Sequence, residues 1–220
     1  MRIKPNHSQI DALHTWRYRW HMEPPQEYER YTYEDYLSWP EGERFELIDG
    51  VAYAMSPAPT TGHQRILVEL ARQVSNHLLN KTCVVLVAPF DLKLSAAGDD
   101  DGPTVVQPDM AVTCQPGIIS DHGIVGAPEW CLEVISPGSV LADRKRKFEL
   151  YQRYAVGEYW IVETSGVVEV YRLDDAGQYQ RTGAYGPGET ISPRALPELT
   201  IDLSLVFRDQ PKGPGAEHTS

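Results

Sequence analysis

The spacing of hydrophobic and polar positions changes several times along this chain, and each change marks an element. TYEDYLSWPEG reads as a short helix, with Thr32 as cap, Asp35 three residues on and Pro40 closing it. RFELIDGVAYAM follows as two apolar runs joined at Asp49-Gly50, a strong hairpin signal. From about Gly62 to Asn80, His63, Ile66, Leu67, Leu70, Val74 and Leu78 recur at helical spacing and predict one buried stripe. CVVLVA then predicts a short strand, FDLKLS an alternating one and AAGDDDGP a polar loop. VVQPDMAV reads as a further strand, with Pro108 tolerable near its start or at an edge. QPGIISDHGIVGAP reads as loop, and WCLEVI as a strand buried on both faces. A second helix is predicted from about Val140 to Ala155. EYWIVET and VVEVYRL form a hairpin across Ser165-Gly166, and QYQRTGAY adds one more strand.

This order predicts a single α/β domain (α+β by some schemes) over residues 31–207, a mixed central sheet flanked by helices. Residues 1–30 read as an arm ended by Pro24-Pro25, in which Trp16, Tyr18 and Trp20 alternate and could pack on a neighbour. Residues 208–220 have the composition of a disordered tail. There is no internal repeat.

Composition narrows the class only slightly. Apolar residues make up 41% and charged residues 23%, as in an ordinary soluble domain. No run approaches the roughly 18 apolar residues of a membrane span, and the N-terminus lacks the apolar segment of a secretory signal. A cytoplasmic protein is expected. Cys83, Cys114 and Cys131 lie far apart with no metal-binding spacing, so buried reduced thiols are expected rather than a disulfide framework. The formal charge of −11 argues against a protein that coats nucleic acid through excess Lys and Arg. It leaves room for a local basic patch beside carboxylates that hold a divalent cation.

Four charged residues break apolar patterns. Glu133 stands inside Trp130-Cys131-Leu132-Glu133-Val134-Ile135, where an unpaired carboxylate would cost several kcal/mol or more. Glu46 shares a strand face with Ile48, and Asp109 opens a strand directly after Pro108. Lys147 falls on one helical stripe with Tyr151 and Tyr154, while Lys145, Arg146 and Glu149 point elsewhere. Each has a plain alternative: a solvated edge carboxylate for Glu46, a turn residue for Asp109, a structural ion pair for Glu133, a snorkelling stem for Lys147. Asp143 sits one turn before Lys147 and could pair with it. His63 heads its stripe, where a core histidine is the commoner case.

As a set, three carboxylates and a lysine suit phosphodiester chemistry. Hard divalent cations take carboxylate oxygens and water, and a cation so held can polarise a phosphodiester. A neighbouring lysine stabilises charge building on phosphorus. The motifs Arg44-Phe45-Glu46-Leu47-Ile48-Asp49-Gly50, Ser56-Pro57 followed by His63, Pro108-Asp109 and Glu133-Val134-Ile135-Ser136-Pro137 resemble the Uma-two family. Lys147-Phe148-Glu149-Leu150-Tyr151, followed by Gly157-Glu158-Tyr159-Trp160, continues the match over about residues 31 to 207. The resemblance implies a restriction-endonuclease-like fold of the PD-(D/E)XK superfamily. That superfamily carries Pro-Asp and then Glu-x-Lys. Here Ile135 stands in the lysine position, and the resemblance assigns the lysine role to Lys147 in the next helix.

The expected function is therefore a magnesium-dependent endonuclease acting on DNA, with manganese able to substitute. Glu46, Asp109 and Glu133 would hold the metal and Lys147 would act beside them, with His63, Asp143 and Tyr151 as supporting candidates. Arg144, Lys145 and Arg146 are candidate contacts to the DNA backbone, although a solvated basic face explains them equally. Cleavage of both strands suggests a homodimer. The alternative is a nuclease-fold binding or assembly module without catalysis. A carboxylate-pair glycosidase ranks last, because it leaves Lys147 and Pro108-Asp109 unused.

Overall fold

Thr32 caps the first helix of the computed structural model, α1 (Tyr33–Ser38): its hydroxyl accepts from the Asp35 N–H, and the Asp35 carboxylate accepts from the Thr32 N–H in return. The structure describes residues 29–40, 45–55, 59–94, 102–135 and 141–208, with the side chains of 141–143 excepted. The expected arm (to residue 28), the tail (from 209), Ser56-Pro57, most of AAGDDDGP and the side chain of Asp143 lie outside the described residues. Strands β1 (Phe45–Ile48) and β2 (Val51–Ala54) turn at Asp49 and Gly50, whose φ values of 51° and 74° are the pair of left-handed conformations such a hairpin needs. Helix α2 (Thr61–Leu78) starts from Thr60 as cap, and His63, Ile66, Leu67, Leu70, Val74 and Leu78 all lie on its buried side. Strands β3 (Val84–Val87) and β4 (Asp91–Leu94) follow.

Two expectations need correction. VVQPDMAV is not one strand: it breaks into β5 (Thr104–Val106) and β6 (Met110–Thr113), which belong to different sheets. Pro108 has no N–H for a ladder, so Gln107-Pro108-Asp109 becomes the crossing between layers. QPGIISDHGIVGAP is not loop throughout. It holds a 3₁₀ turn at Pro116–Ile118 and strands β7 (Ile119–Ser120) and β8 (Gly123–Val125), too short for alternation to reveal.

The chain continues through β9 (Trp130–Ile135), α3 (Leu141–Arg153), β10 (Glu158–Glu163), β11 (Val167–Leu173) and β12 (Tyr179–Tyr185). It closes with β13 (Thr190–Ile191), β14 (Ile201–Asp202) and α4 (Leu203–Val206). The architecture is mixed α/β, as expected, but the strands form two six-stranded sheets and a small pair. Their orders are β2-β1-β5-β4-β8-β7, β12-β11-β10-β9-β6-β3 and β13-β14. In the second sheet β9 runs parallel to β10 and antiparallel to β6, which makes it central.

Alternation along β9 feeds two cores. Trp130, Leu132 and Val134 pack with Trp160 and the α2 stripe, the two indole rings 4.6 Å apart. Cys131 on the opposite face joins Leu92, Leu94 and Ile124 of the first sheet and Leu150, Tyr151 and Tyr154 of α3. The second core thus lies where both sheets and α3 meet, and there Glu133 also faces.

The cysteines depart from expectation. Cys83 and Cys114 form a disulfide, while Cys131 is free and buried, its thiol pushed well up by burial. β3 and β6 pair with Val84 opposite Thr113, which sets Cys83 and Cys114 side by side one step on. Residues 31 positions apart meet only through this strand pairing, which spacing in sequence does not disclose. No helix of the described residues is long and apolar enough to cross a membrane.

Gly123 provides a test of the first sheet. A Cβ there would collide with the Asp91 carbonyl oxygen, and the φ of +145° disfavours any side chain. Gly123→Ala is expected to lower unfolding stability by about 2 kcal/mol or more, read from denaturant midpoints.

Candidate active site

Lys147 is the centre of the site. Its position on α3, one turn before the fully buried Tyr151, carries the ammonium into the interior. There Nζ lies 2.9 Å from Glu133 Oε1 on β9 and 3.1 Å from Glu46 Oε1 on β1. One cation therefore joins carboxylates from the two sheets. All three residues are buried, with 5% exposure for Glu46, 6% for Glu133 and 8% for Lys147. The snorkelling alternative for Lys147 does not describe this geometry. Nor is Glu46 a solvated edge residue: β2 forms the edge, and β1 lies between β2 and β5.

Each carboxylate takes a second donor. The Tyr151 hydroxyl donates to Glu133 Oε1 at 2.8 Å, and the Gln107 backbone N–H donates to Glu46 Oε1 at 3.1 Å. Asp109 sits one step beyond the Met110–Leu132 register pair, which places it opposite Glu133. Its Oδ2 accepts the Val134 N–H at 2.7 Å and lies 3.0 Å from His63 Nε2. Burial pushes the Glu133 carboxyl up to about 7; Lys147 works against this shift and Asp109 adds to it. Burial also holds the Tyr151 phenol well above its ordinary range, so it stays a donor.

Glu46, Asp109, Glu133, Lys147, His63 and Tyr151 are thus brought to one place. The basic run is not. Arg144 is drawn to Glu163 and Glu169 on the neighbouring hairpin, away from the carboxylates. Lys145 is exposed and pairs loosely with Glu149 at 3.6 Å, and Arg146 lies 4.2 Å over the Tyr53 ring.

Sequence reasoning missed one layer of the site. Gln107 uses its side-chain amide to reach Asp91 Oδ1 at 3.1 Å, and the Tyr36 hydroxyl donates to the same oxygen at 2.8 Å. Gln107 therefore ties Glu46, through its backbone, to Asp91 and Tyr36. Burial, and then the bond to Asp91, raises the Tyr36 phenol far above its usual range. The only signal in the sequence was position, since Gln107 stands two residues before Asp109 in the crossing segment.

Among the described residues, no three His, Cys, Asp or Glu side chains close on one point as a ready-made metal cage. The donor chemistry still suits a hard cation. Asp109, just before β6, and Glu133, on the neighbouring β9, are oxygen donors, and magnesium is commonly held by one or two carboxylates with water completing the shell.

A family model described as Uma2, putative restriction endonuclease, matches residues 33–204. The uncharacterized protein slr1290 of Synechocystis sp. (strain ATCC 27184 / PCC 6803 / Kazusa) is 29% identical over 179 residues, covering 80% of this chain and 90% of that protein. The crystal structure of a putative nuclease belonging to DUF820, from Anabaena variabilis ATCC 29413, superposes with a TM-score of 0.61 at 21% identity. That likeness covers 80% of this chain and 97% of the other, and it concerns the fold.

Proposed function

The chain belongs to the Uma2 family of restriction-endonuclease-like proteins, and from that premise we propose a metal-dependent endonuclease that hydrolyses DNA phosphodiester bonds. The observation that carries this reading is Lys147 bridging Glu46 and Glu133 beside Asp109. Asp109 and Glu133 would hold a magnesium or manganese ion, with Glu46 behind them. The ion would supply Lewis acidity toward the phosphoryl oxygen and lower the pKa of bound water.

The protein's own groups do the rest. Lys147 supplies fixed positive charge where negative charge builds on phosphorus, in a buried setting that strengthens it. Tyr151 and Gln107 hold the two carboxylates that aim Lys147. The walls of the second core limit water around them. Two active sites, one for each strand, are a common way to cut a duplex, so the proposal includes a homodimer, which sedimentation would test.

Supercoiled plasmid incubated with magnesium or manganese should be nicked or linearised, and chelation should stop it. Asp109→Asn should reduce the rate by about a hundredfold or more, the order expected for loss of a metal-holding group. Unchanged cleavage by that variant would remove Asp109 from the site. One observation favours a second reading, a nuclease-fold module without catalysis: the Lys147 ammonium already pairs with both Glu46 and Glu133 without a metal ion. Calorimetric titration separates the two, because the module would take up no magnesium or manganese.

A further inference from the structure

The two carboxylates proposed to hold the metal share a feature that hydrogen bonding explains. In Asp109, Oδ2 receives both the Val134 N–H and His63, while Oδ1 meets no donor among the described residues. In Glu133, Oε1 receives both Lys147 and Tyr151, and Oε2 meets none. The side chains of Asp109 and Glu133 keep 18% and 8% of their surface exposed, so neither is sealed from solvent. A carboxylate turns easily about its last bond, because that torsion is broad and roughly two-fold. Two donors on one oxygen stop the rotation and leave the other oxygen available to a ligand.

For Asp109, one of these donors is backbone and the other is His63. The histidine stands in the first turn of α2, where its N–H donates to Thr60 Oγ1. Its ring is buried, and Nδ1 has no hydrogen-bond partner among the described residues. A carboxylate only accepts, so Nε2 carries the proton that reaches Asp109. An unpaired buried nitrogen disfavours folding, and an apolar side chain of similar size would avoid that cost. The stripe around it, Ile66, Leu67 and Leu70, shows that the helix packs through such residues. Among the described residues the bond to Asp109 is therefore the one polar contact that orients the imidazole, and packing alone does not explain a histidine here.

We infer that His63 is a positioning residue: it holds Oδ2 of Asp109 so that Oδ1 alone is presented to the divalent cation shared with Glu133. This rests on the metal pair of the proposed nuclease but does not require that DNA be cut.

Manganese titrated into the full-length protein without DNA, followed by the electron paramagnetic resonance of free Mn²⁺ and by calorimetry, tests it. His63→Leu keeps the apolar volume and removes the donor; His63→Gln keeps a donor able to reach Oδ2. His63→Leu should bind Mn²⁺ about tenfold to a hundredfold more weakly, the usual effect of losing a group that orients a metal ligand. Its thermal unfolding should stay cooperative, and His63→Gln should recover most of the affinity. A purely structural histidine predicts the opposite pattern, with His63→Leu binding like the wild type, and that result overturns the inference. Should His63→Leu fail to fold, His63→Ala makes the same comparison. Mn²⁺ binding that depends on His63, without DNA cleavage, would reject the nuclease and keep the positioning role. DNA cleavage with unchanged affinity in His63→Leu would do the reverse. A wild-type protein that binds no Mn²⁺ removes both.

Discussion

Lys147→Ala is expected to slow DNA cleavage by orders of magnitude and to destabilise the fold by about 3–5 kcal/mol, the cost of removing one partner from a buried ion pair. The size follows from burial. Glu46 and Glu133 are 5% and 6% exposed, and the same ammonium contacts both. Without it, two carboxylates face each other across the junction of the sheets, each left with one neutral donor, Gln107 N–H or Tyr151 hydroxyl. Lys147→Met separates charge from packing, because it restores most of the aliphatic stem. If the charge matters, Met should be nearly as destabilising as Ala. A Met variant close to wild type would show that the stem alone holds α3 in place. The deficit should shrink on acidification, since protonated carboxylates no longer need the cation. Urea unfolding at pH 8 and pH 5 reads this directly. For cleavage, the loss of one charge-stabilising group corresponds to a factor of about 10²–10³.

The residues in that prediction were legible before the fold was, for a physical reason. Lys147 shares a 3.6-residue stripe with Tyr151 and Tyr154, so local periodicity alone aims it inward. Glu133 is flanked by apolar residues on both sides, so burial follows from its own strand. Asp109 and Glu46 gave weaker signals, and they joined the set through the shared chemistry of carboxylates and a lysine and through the resemblance. What escaped was everything that depends on pairing between distant segments. Cys83 meets Cys114 through the β3–β6 register, and Tyr36 meets Asp91 across 55 positions. The split of VVQPDMAV escaped for a related reason. Pro108 signalled a weak point in a strand, but whether a chain bends there or changes sheets depends on what lies opposite. Here the change of sheets puts Gln107 beside Glu46 and Asp109 beside Glu133.

Glu133→Gln is expected to remove cleavage while making the protein more stable above pH 7. The sign follows from the direction of the shift. Burial raises the Glu133 carboxyl from 4.5 to about 7, so between those values the folded chain keeps a proton that the unfolded chain releases. Stability from this group is full below pH 4.5, declines as pH rises through the window and stays low above pH 7. Over that window the loss is on the order of 3 kcal/mol. Glutamine does not ionise, and its carbonyl oxygen can still accept from Lys147 and Tyr151. The variant should therefore match the wild type near pH 4.5 and exceed it progressively up to pH 7. Chemical denaturation of both proteins across that range gives the difference curve, and a flat curve would show that Glu133 is not held protonated by burial. Manganese supplies the complementary arm. A cation bound by the folded state alone should stabilise the wild type above pH 7, by an amount set by its concentration relative to its dissociation constant. It should do little for Glu133→Gln, which lacks the anionic oxygen. The carboxylate that weakens the metal-free fold is, on this account, the group through which the cation strengthens it.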